Sequence, residues 1–468
     1  LTKKKAKPQK IEHSFCAAKW LQVTIYLQNG VNHSCHHPNT HRIPLDEVKN
    51  DLSVFHNTQF KKDQRKMMLE GQRPPECVYC WNIEDSVGQD FSDRKIKNTD
   101  SWAIDQVEAL KSSDPSANIN PTYLEVSLGS ECNFACAYCK ADSSSRIDNE
   151  LKKHGNYNTY NDYGKIEWLQ ADGRLPVYTA EDNPYKELFL EWFKEVKEDL
   201  KVFRMTGGEP FINPLFPKLL DELKTRKAPG LDVSVNSNLG MAHSIVEKQI
   251  AKLKELENKK EISNIAIYTS LESYGAQAEY ARFGLEMELF KKNVRYVLEN
   301  SDFQLVFMAT HNILSIYSYR EMIDYIIALK KEFEGDHENG QRILIDSSYL
   351  ASPQYISLKF ARKDMIKAMK ENLDYMEEKS ISNLKTHGFS EYEITKYKRI
   401  YHYTKASNMD EESPEVIKAR CDFVTFFTEY DKRKGTSLVK TFPELKAYFH
   451  YCRLVKMDID YALDGAEY

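Results

Sequence analysis

The sequence predicts an α/β fold with a largely parallel sheet. Six runs rich in β-forming residues stand at 122–128, 201–206, 231–236, 264–270, 303–309 and 342–347. Helical stretches separate them at 186–198, 214–226, 243–258, 285–299 and 317–334. Strands that alternate with helices favour parallel pairing. A chain of 468 residues, 41% hydrophobic and 29% charged, is long enough to bury one large core plus a satellite region.

The elements follow in order. The start, Leu1 to Lys7, is basic but no apolar run follows it, so no secretory signal is expected. The first residue is leucine, which leaves a missing or processed start as the expectation. Trp20 to Gly30 reads as a strand and an Asn29-Gly30 turn leading to a return strand, a hairpin signal. Such a hairpin brings Cys16 towards Cys35. A helix from Lys61 to Gly71 and an extended Pro74-Pro75 then lead to Cys77 and Cys80, a C-x2-C pair. Four thiolates close a complete site, for zinc or for an iron–sulfur cluster. His36 and His37, on a polar loop, are expected to be solvated. Residues 100–114 form a short amphipathic connector.

The strand at 122–128 delivers a loop with Cys132, Cys136 and Cys139, spaced C-x3-C-x2-C, and Tyr138 before the third cysteine. Three thiolates on one loop can hold three irons of a [4Fe–4S] cube and leave the fourth open to a chelating ligand. A zinc knuckle and three unrelated buried cysteines are the alternatives. The loop lies at the C-terminal end of a strand, where α/β barrels place chemistry. Residues 141–185 interrupt the strand–helix rhythm. The polar, tyrosine-rich part at 154–164 is expected to be a loop, either a lid or a flexible insertion. The strand at 201–206 ends in Gly207-Gly208-Glu209-Pro210, where glycines permit close backbone approach to a ligand and Glu209 offers a carboxylate to an amine. Ser234, Asn236 and Asn238 supply polar groups at the end of the third core strand, or ordinary turn chemistry. Ser270-Leu271-Glu272-Ser273 ends the fourth, with Ser270 and Glu272 on one strand face. Arg282 either grips a ligand carboxylate or makes a structural salt bridge. Met308, Thr310, His311, Asp346, Ser347 and Ser348 shape a pocket at the ends of the last two strands. Residues 351–468 are expected to be mostly helical, and Cys421 and Cys452 to be buried packing.

With 65 Lys and Arg against 70 Asp and Glu the net charge is −5, and no long basic stripe favours a nucleic-acid partner. No run of about eighteen apolar residues predicts a membrane span. Nine cysteines, an odd number in clusters, point to a reducing cytoplasm.

The cysteine motif of Cys132, Cys136 and Cys139 with Tyr138, followed by Gly207 to Pro210, resembles the radical S-adenosylmethionine (SAM) superfamily. The spacing of Cys16, Gly30 and Cys35, C-x13-G-x4-C, together with Cys77 and Cys80, resembles the auxiliary-cluster module of its SPASM and twitch subfamilies. It departs from them in preceding the core and in having Cys35-His36 where a paired cysteine is common. The resemblance implies a partial (β/α)6, TIM-like barrel at 101–350, an N-terminal cysteine-rich hairpin module at 1–100 and a helical C-terminal extension at 351–468. It implies two [4Fe–4S] clusters. One, on Cys132, Cys136 and Cys139, would bind SAM, and one, auxiliary, would sit on Cys16, Cys35, Cys77 and Cys80. Tyr138, Gly207, Gly208, Glu209, Ser234, Asn236, Ser270, Glu272 and Arg282 would contact SAM. The activity implied is reductive cleavage of SAM to a 5′-deoxyadenosyl radical that takes hydrogen from a peptide or protein. A small molecule such as a sugar or nucleotide is the second substrate class. An external donor such as a flavodoxin or ferredoxin would supply the electron. The rival of another class is a binding protein stabilised by metal, in which both cysteine sets are structural. The carboxylate in Gly207 to Pro210 argues against it.

Overall fold

Buried and half-buried residues alternate strictly along Leu231–Ser237, the mark of a strand with one face in the core. The computed structural model describes residues 11–86, 92–176, 182–257, 259–333 and 341–466. The basic stretch at 1–7 lies outside them. The strands are β1 Gln22–Tyr26, β2 Val31–His33, β3 His41–Arg42, β4 Tyr123–Ser127, β5 Ala135–Cys136, β6 Val202–Thr206, β7 Leu231–Ser237, β8 Ile262–Ser270, β9 Arg282–Phe283, β10 Gln304–His311 and β11 Ile343–Tyr349. The longer helices are α1 Gln59–Leu69, α2 Val78–Ser86, α3 Asp93–Thr99, α4 Ser145–His154, α5 Pro184–Val196, α6 Leu215–Leu223, α7 His243–Glu257, α8 Met287–Asn300, α9 Tyr319–Phe333, α10 Lys363–Glu378, α11 Glu391–Ala406, α12 Pro414–Lys434 and α13 Lys446–Ala466. Each of the six strand runs read from the sequence is a strand, and each helical stretch between them is a helix. The fold is mixed α/β with parallel strands.

The chain divides into two compact units. The first is Leu1–Gly129, Pro176–Val235 and Ala251–Ile265; the second is Ser130–Leu175, Asn236–Ile250 and Ala266–Tyr468. In the first unit β7, β6, β4 and β1 pair in parallel, and β2 and β3 continue from β1 as antiparallel strands. The expected hairpin is present, but β1 also pairs along its whole length with β4, from Gln22↔Tyr123 to Tyr26↔Ser127. Gln22, Val23, Thr24 and Ile25 are all buried, as befits a strand inside a sheet. Gly30, at φ 63°, makes the hairpin turn, and the Tyr185 ring fills the place a Cβ would take. Tyr185 also donates its hydroxyl to the Ile43 carbonyl at 2.7 Å. Helix α5 covers this sheet with Phe193, whose ring lies 4.6 Å from that of Phe203 on β6.

In the second unit β10 pairs in parallel with both β8 and β11. Lys330 of α9 and Glu393 of α11 form a fully buried pair at 3.0 Å. The Ile345 N–H of β11 donates to the same carboxylate at 2.9 Å, so one buried anion ties two helices to an edge strand. The C-terminal part is helical as expected, and Phe423 of α12 packs edge-on against Tyr448 of α13. Cys421 and Cys452 are buried. No described helix is long and apolar enough to cross a membrane.

The loop read at 154–164 is an irregular stretch at 155–165, flanked by α4 and a short helix at 166–171. The α4 signals are local. Ser144 caps it, Asp148 stands in its first turn, and Lys152, Lys153 and His154 stand in its last turn before Gly155 at φ 78°. One detail of the sequence reading is corrected: the fourth core strand stops at Ser270, so Glu272 does not share a strand face with it. The Leu271 N–H instead closes onto the Met308 carbonyl.

Candidate functional site

The cysteine loop of the second unit is fastened on both sides. On one side α4 begins with two serines that reach back to it. The Cys132 N–H donates to Ser145 Oγ at 3.2 Å. Ser144 Oγ donates to the Phe134 carbonyl at 2.8 Å while accepting from the Ile147 N–H as a helix cap. On the other side β5 pairs with β9, which sets Cys136 opposite Arg282, and the Ala137 N–H donates to the Ala281 carbonyl at 2.8 Å. Below, Asn133 is held by Asn238, whose amide donates to it at 2.8 Å. Gly240 leaves room for the Phe134 ring, which a Cβ would meet at 2.2 Å. Three thiols are thereby presented from a loop whose backbone is fixed at four points and whose Asn133 and Phe134 side chains are also held.

Beside the loop lies a buried polar chain. Tyr138 donates its hydroxyl to Glu272 at 2.7 Å, and Glu272 forms a close ion pair with Arg282. Glu272 and Arg282 are 1% and 6% exposed, so the carboxylate and guanidinium satisfy each other. Arg282 makes the salt bridge that was one of its two sequence readings. Burial opposes the charge on Arg282, but Glu272, Tyr138 and Cys136 together outweigh it and keep the guanidinium charged. Burial pushes the Cys136 thiol up to about 12, with Arg282 opposing and Cys132 adding; Cys139 is raised too, by burial first.

Cys136 and Cys139 open onto a cavity of about 50 Å³. Tyr157, Tyr163, Tyr355, Phe426 and Tyr430 wall it, and Lys140 and Lys165 stand at its edge. The irregular stretch at 155–165 is tied down over it. The Asn161 N–H donates to Asp422 at 3.0 Å, the Tyr160 N–H donates to the same carboxylate, and Arg433 lies 4.1 Å over the Tyr157 ring.

Other expected site residues stand as follows. Asn236, on the half-buried face of β7 with Ser234, places its amide 3.7 Å from Met308 Sδ. Ser270 is half-buried at the end of β8. Gly207, Gly208, Glu209 and Ser234 belong to the first unit. Gly207 has φ 133°, and its missing side chain lets the Gly129 carbonyl approach to within 2.8 Å of where a Cβ would stand. The Gly208 N–H donates to that carbonyl, and Glu209, 1% exposed, accepts from the Phe211 N–H at 3.0 Å.

In the first unit Cys16, Cys35, Cys77 and Cys80 line one small cavity of about 20 Å³ with Lys19, Arg94 and Lys97. Burial pushes the Cys16 and Cys77 thiols up to about 12, and neighbouring thiols add to it. The Ala18 N–H hydrogen-bonds Cys16 and the Arg94 N–H hydrogen-bonds Cys80. His37 lines the same cavity, bonded to Asp93 at 3.0 Å and stacked 3.8 Å from Tyr79. It is therefore held by partners rather than merely solvated as the sequence suggested, whereas the His36 side chain is 51% exposed.

Residues 126–302 match the model of the radical SAM superfamily. That radical SAM match takes in Cys132 to Cys139 and Gly207 to Pro210, and leaves the N-terminal cysteines outside it. No curated protein matches the chain. Among solved structures, native anSMEcpe with bound AdoMet is 16% identical with a TM-score of 0.36. The match covers 57% of this chain and 63% of that one, so the chain spans less than two thirds of that relative. SuiB of Streptococcus suis bound to its precursor peptide SuiA is 14% identical over 82% of this chain and 74% of that one, TM-score 0.37. SuiB bound to S-adenosylmethionine is 15% identical over 79% and 70%, TM-score 0.32. These are distant likenesses.

The donor sets fit iron–sulfur clusters. All nine cysteines are free thiols. Among the described residues no three His, Cys, Asp or Glu side chains converge as tightly as ligands of a single metal ion. Thiolates are soft donors that suit iron–sulfur clusters and zinc alike. Sequence reasoning missed Ser144, Ser145 and the two-residue strand β9. The Ser143-Ser144-Ser145 run reads only as polar loop, and a strand of two residues has no periodicity to read.

Proposed function

We propose that the chain is a radical SAM enzyme with a SAM-binding [4Fe–4S] cluster on Cys132, Cys136 and Cys139 and an auxiliary [4Fe–4S] cluster on Cys16, Cys35, Cys77 and Cys80. The observation that carries this is the cysteine loop fixed at four backbone points beside a cavity. Held by Cys132, Cys136 and Cys139, the first cluster would supply the one-electron reduction of SAM that starts radical hydrogen abstraction from a substrate. The chain's own residues bind and aim. Glu209, whose carboxylate accepts from the Phe211 N–H, would bind the SAM amine, Gly207 and Gly208 would let the backbone approach it, and Tyr138, Ser234, Asn236 and Ser270 would contact the nucleoside. Glu272 and Arg282 act through the loop, holding Tyr138 and the backbone at Cys136. The stretch at 155–165 excludes water from the cavity.

The substrate reading is a peptide or protein side chain, with a sugar or nucleotide second. The aromatic rings that wall the cavity suit an apolar or planar group. An external flavodoxin or ferredoxin supplies the electron.

The test is electron paramagnetic resonance of the reduced, reconstituted protein. Adding SAM should perturb one cluster signal, and Cys136→Ala should abolish that perturbed signal alone. Signals indifferent to SAM would count against the reading.

A further inference from the structure

Helix α4 stands between two hollows of the second unit. Ile147 and Leu151, four apart and so on one face, line the aromatic cavity at Cys136 and Cys139. Arg146, Glu150 and Lys153 line a second recess of about 270 Å³. Strand β5 divides in the same way, because neighbouring strand residues face opposite sides. Cys136 lines the aromatic cavity and Ala135 lines the recess. Phe283 of β9, with Arg433 and Lys434 of α12, completes the wall. The recess therefore backs onto the cysteine loop, on the other face of β5 from the aromatic cavity.

Four cations, Arg146, Lys153, Arg433 and Lys434, line the recess against one carboxylate, Glu150. Lys434 is paired with Glu150, and Arg433 with Glu429 at 3.0 Å. Arg146 and Lys153 are exposed, and among the described residues no carboxylate lies within 4.0 Å of either. The local surplus is positive on a chain whose net charge is −5. Helix ends explain part of it. Lys153 stands in the last turn of α4, and Arg433 and Lys434 in the last turn of α12, where the helix dipole favours cations. Arg146 stands in the first turn of α4, where the dipole disfavours them. It donates to the Asn133 carbonyl at 2.8 Å, a further tie on the cysteine loop. An exposed guanidinium at the disfavoured end of a helix, bonded to the thiol loop itself, suits an anionic partner at that loop.

We propose that this recess is the docking surface for an acidic one-electron carrier protein that reduces the three-cysteine centre. This rests on the reading of that centre as an iron–sulfur cluster. The carrier gives up one electron and the irons gain it; no bond forms or breaks and no proton moves. None of the three cysteines is among the described residues that line the recess, so it suits electron entry rather than a substrate that must meet the radical. A partner on this side reaches the loop at Ala135 and Arg146 and leaves the aromatic cavity free. Charge complementarity of this kind acts chiefly on association and fades with salt.

The test follows 5′-deoxyadenosine formation by the reconstituted full chain against the concentration of reduced flavodoxin, an acidic flavin protein, with dithionite as the small reductant. At low salt Lys153→Glu and Arg146→Gln should each raise the KM for flavodoxin about fivefold, and about 0.5 M salt should erase the difference. The rate with dithionite should not change. Lys367→Glu, a charge reversal at an exposed position of α10, should leave the KM alone. A KM that ignores both recess substitutions, with deoxyadenosine still formed, would overturn the inference and leave the enzyme reading standing. Equal losses with flavodoxin and with dithionite would assign the two residues to holding the loop or a substrate, and would overturn it too. No deoxyadenosine from the parent chain with either reductant would overturn the enzyme reading and this inference with it.

Discussion

At the scale of single residues, the cysteine spacing was legible because three soft ligands in eight residues constrain chemistry more than fold. The partners of those cysteines were not legible. Glu272 and Arg282 are ten apart in sequence and meet only through the turn after β8 and the β5–β9 pairing. Removing one member of a buried ion pair strands the other, so Glu272→Ala should cost about 3–5 kcal/mol. Tyr138→Phe removes one hydrogen bond from the same carboxylate and should cost about 1–3 kcal/mol. Urea unfolding of the two variants checks the order, and equal losses would contradict it. The thiols give a second prediction. Cys16, Cys77 and Cys136 rise from 9.0 to about 12 on folding, chiefly through burial. Below about pH 9 both states keep these protons. Above it the unfolded chain releases them first, so apo-protein stability should fall as pH rises from about 9 towards 12. The cluster-loaded protein, whose thiolates are already ligated, should lack that fall. Denaturation midpoints of both forms at pH 8 and pH 10 decide it, and a flat apo profile would refute it.

At the scale of elements, α4 is a positioning device as much as a helix. Ser144 caps it and clips the Phe134 carbonyl, so Ser144→Ala should cost about 0.5–2 kcal/mol and also loosen the cluster loop. Ser413→Ala removes the cap of α12, where Ser413 accepts from the Val416 N–H, and should cost a similar amount. Only Ser144→Ala should reduce the iron retained at Cys132, Cys136 and Cys139. Equal iron in the two variants would show that the serine acts on the helix alone. The six core strands were legible because period-two burial, as along β7, is written in local sequence. The start of α4 carried ordinary cap signals that the surrounding polar, tyrosine-rich composition masked.

At the scale of the whole chain, the alternation of strand and helix gave the fold class, and the N-terminal hairpin was visible through Asn29-Gly30. Its attachment was not: β1 pairs with β4 across about a hundred residues, and pairing at that range leaves no local pattern beyond a strand buried on both faces. Residues 126–302 match the radical SAM superfamily model, and the two cysteine sets occupy different units. The measurement that tests the central claim most directly is anaerobic reconstitution with iron and sulfide, reduction with dithionite, addition of SAM, and assay for 5′-deoxyadenosine. The account predicts about eight irons per chain and deoxyadenosine that disappears in Cys132→Ala. No deoxyadenosine from a chain whose three-cysteine cluster is assembled and reduced would contradict it.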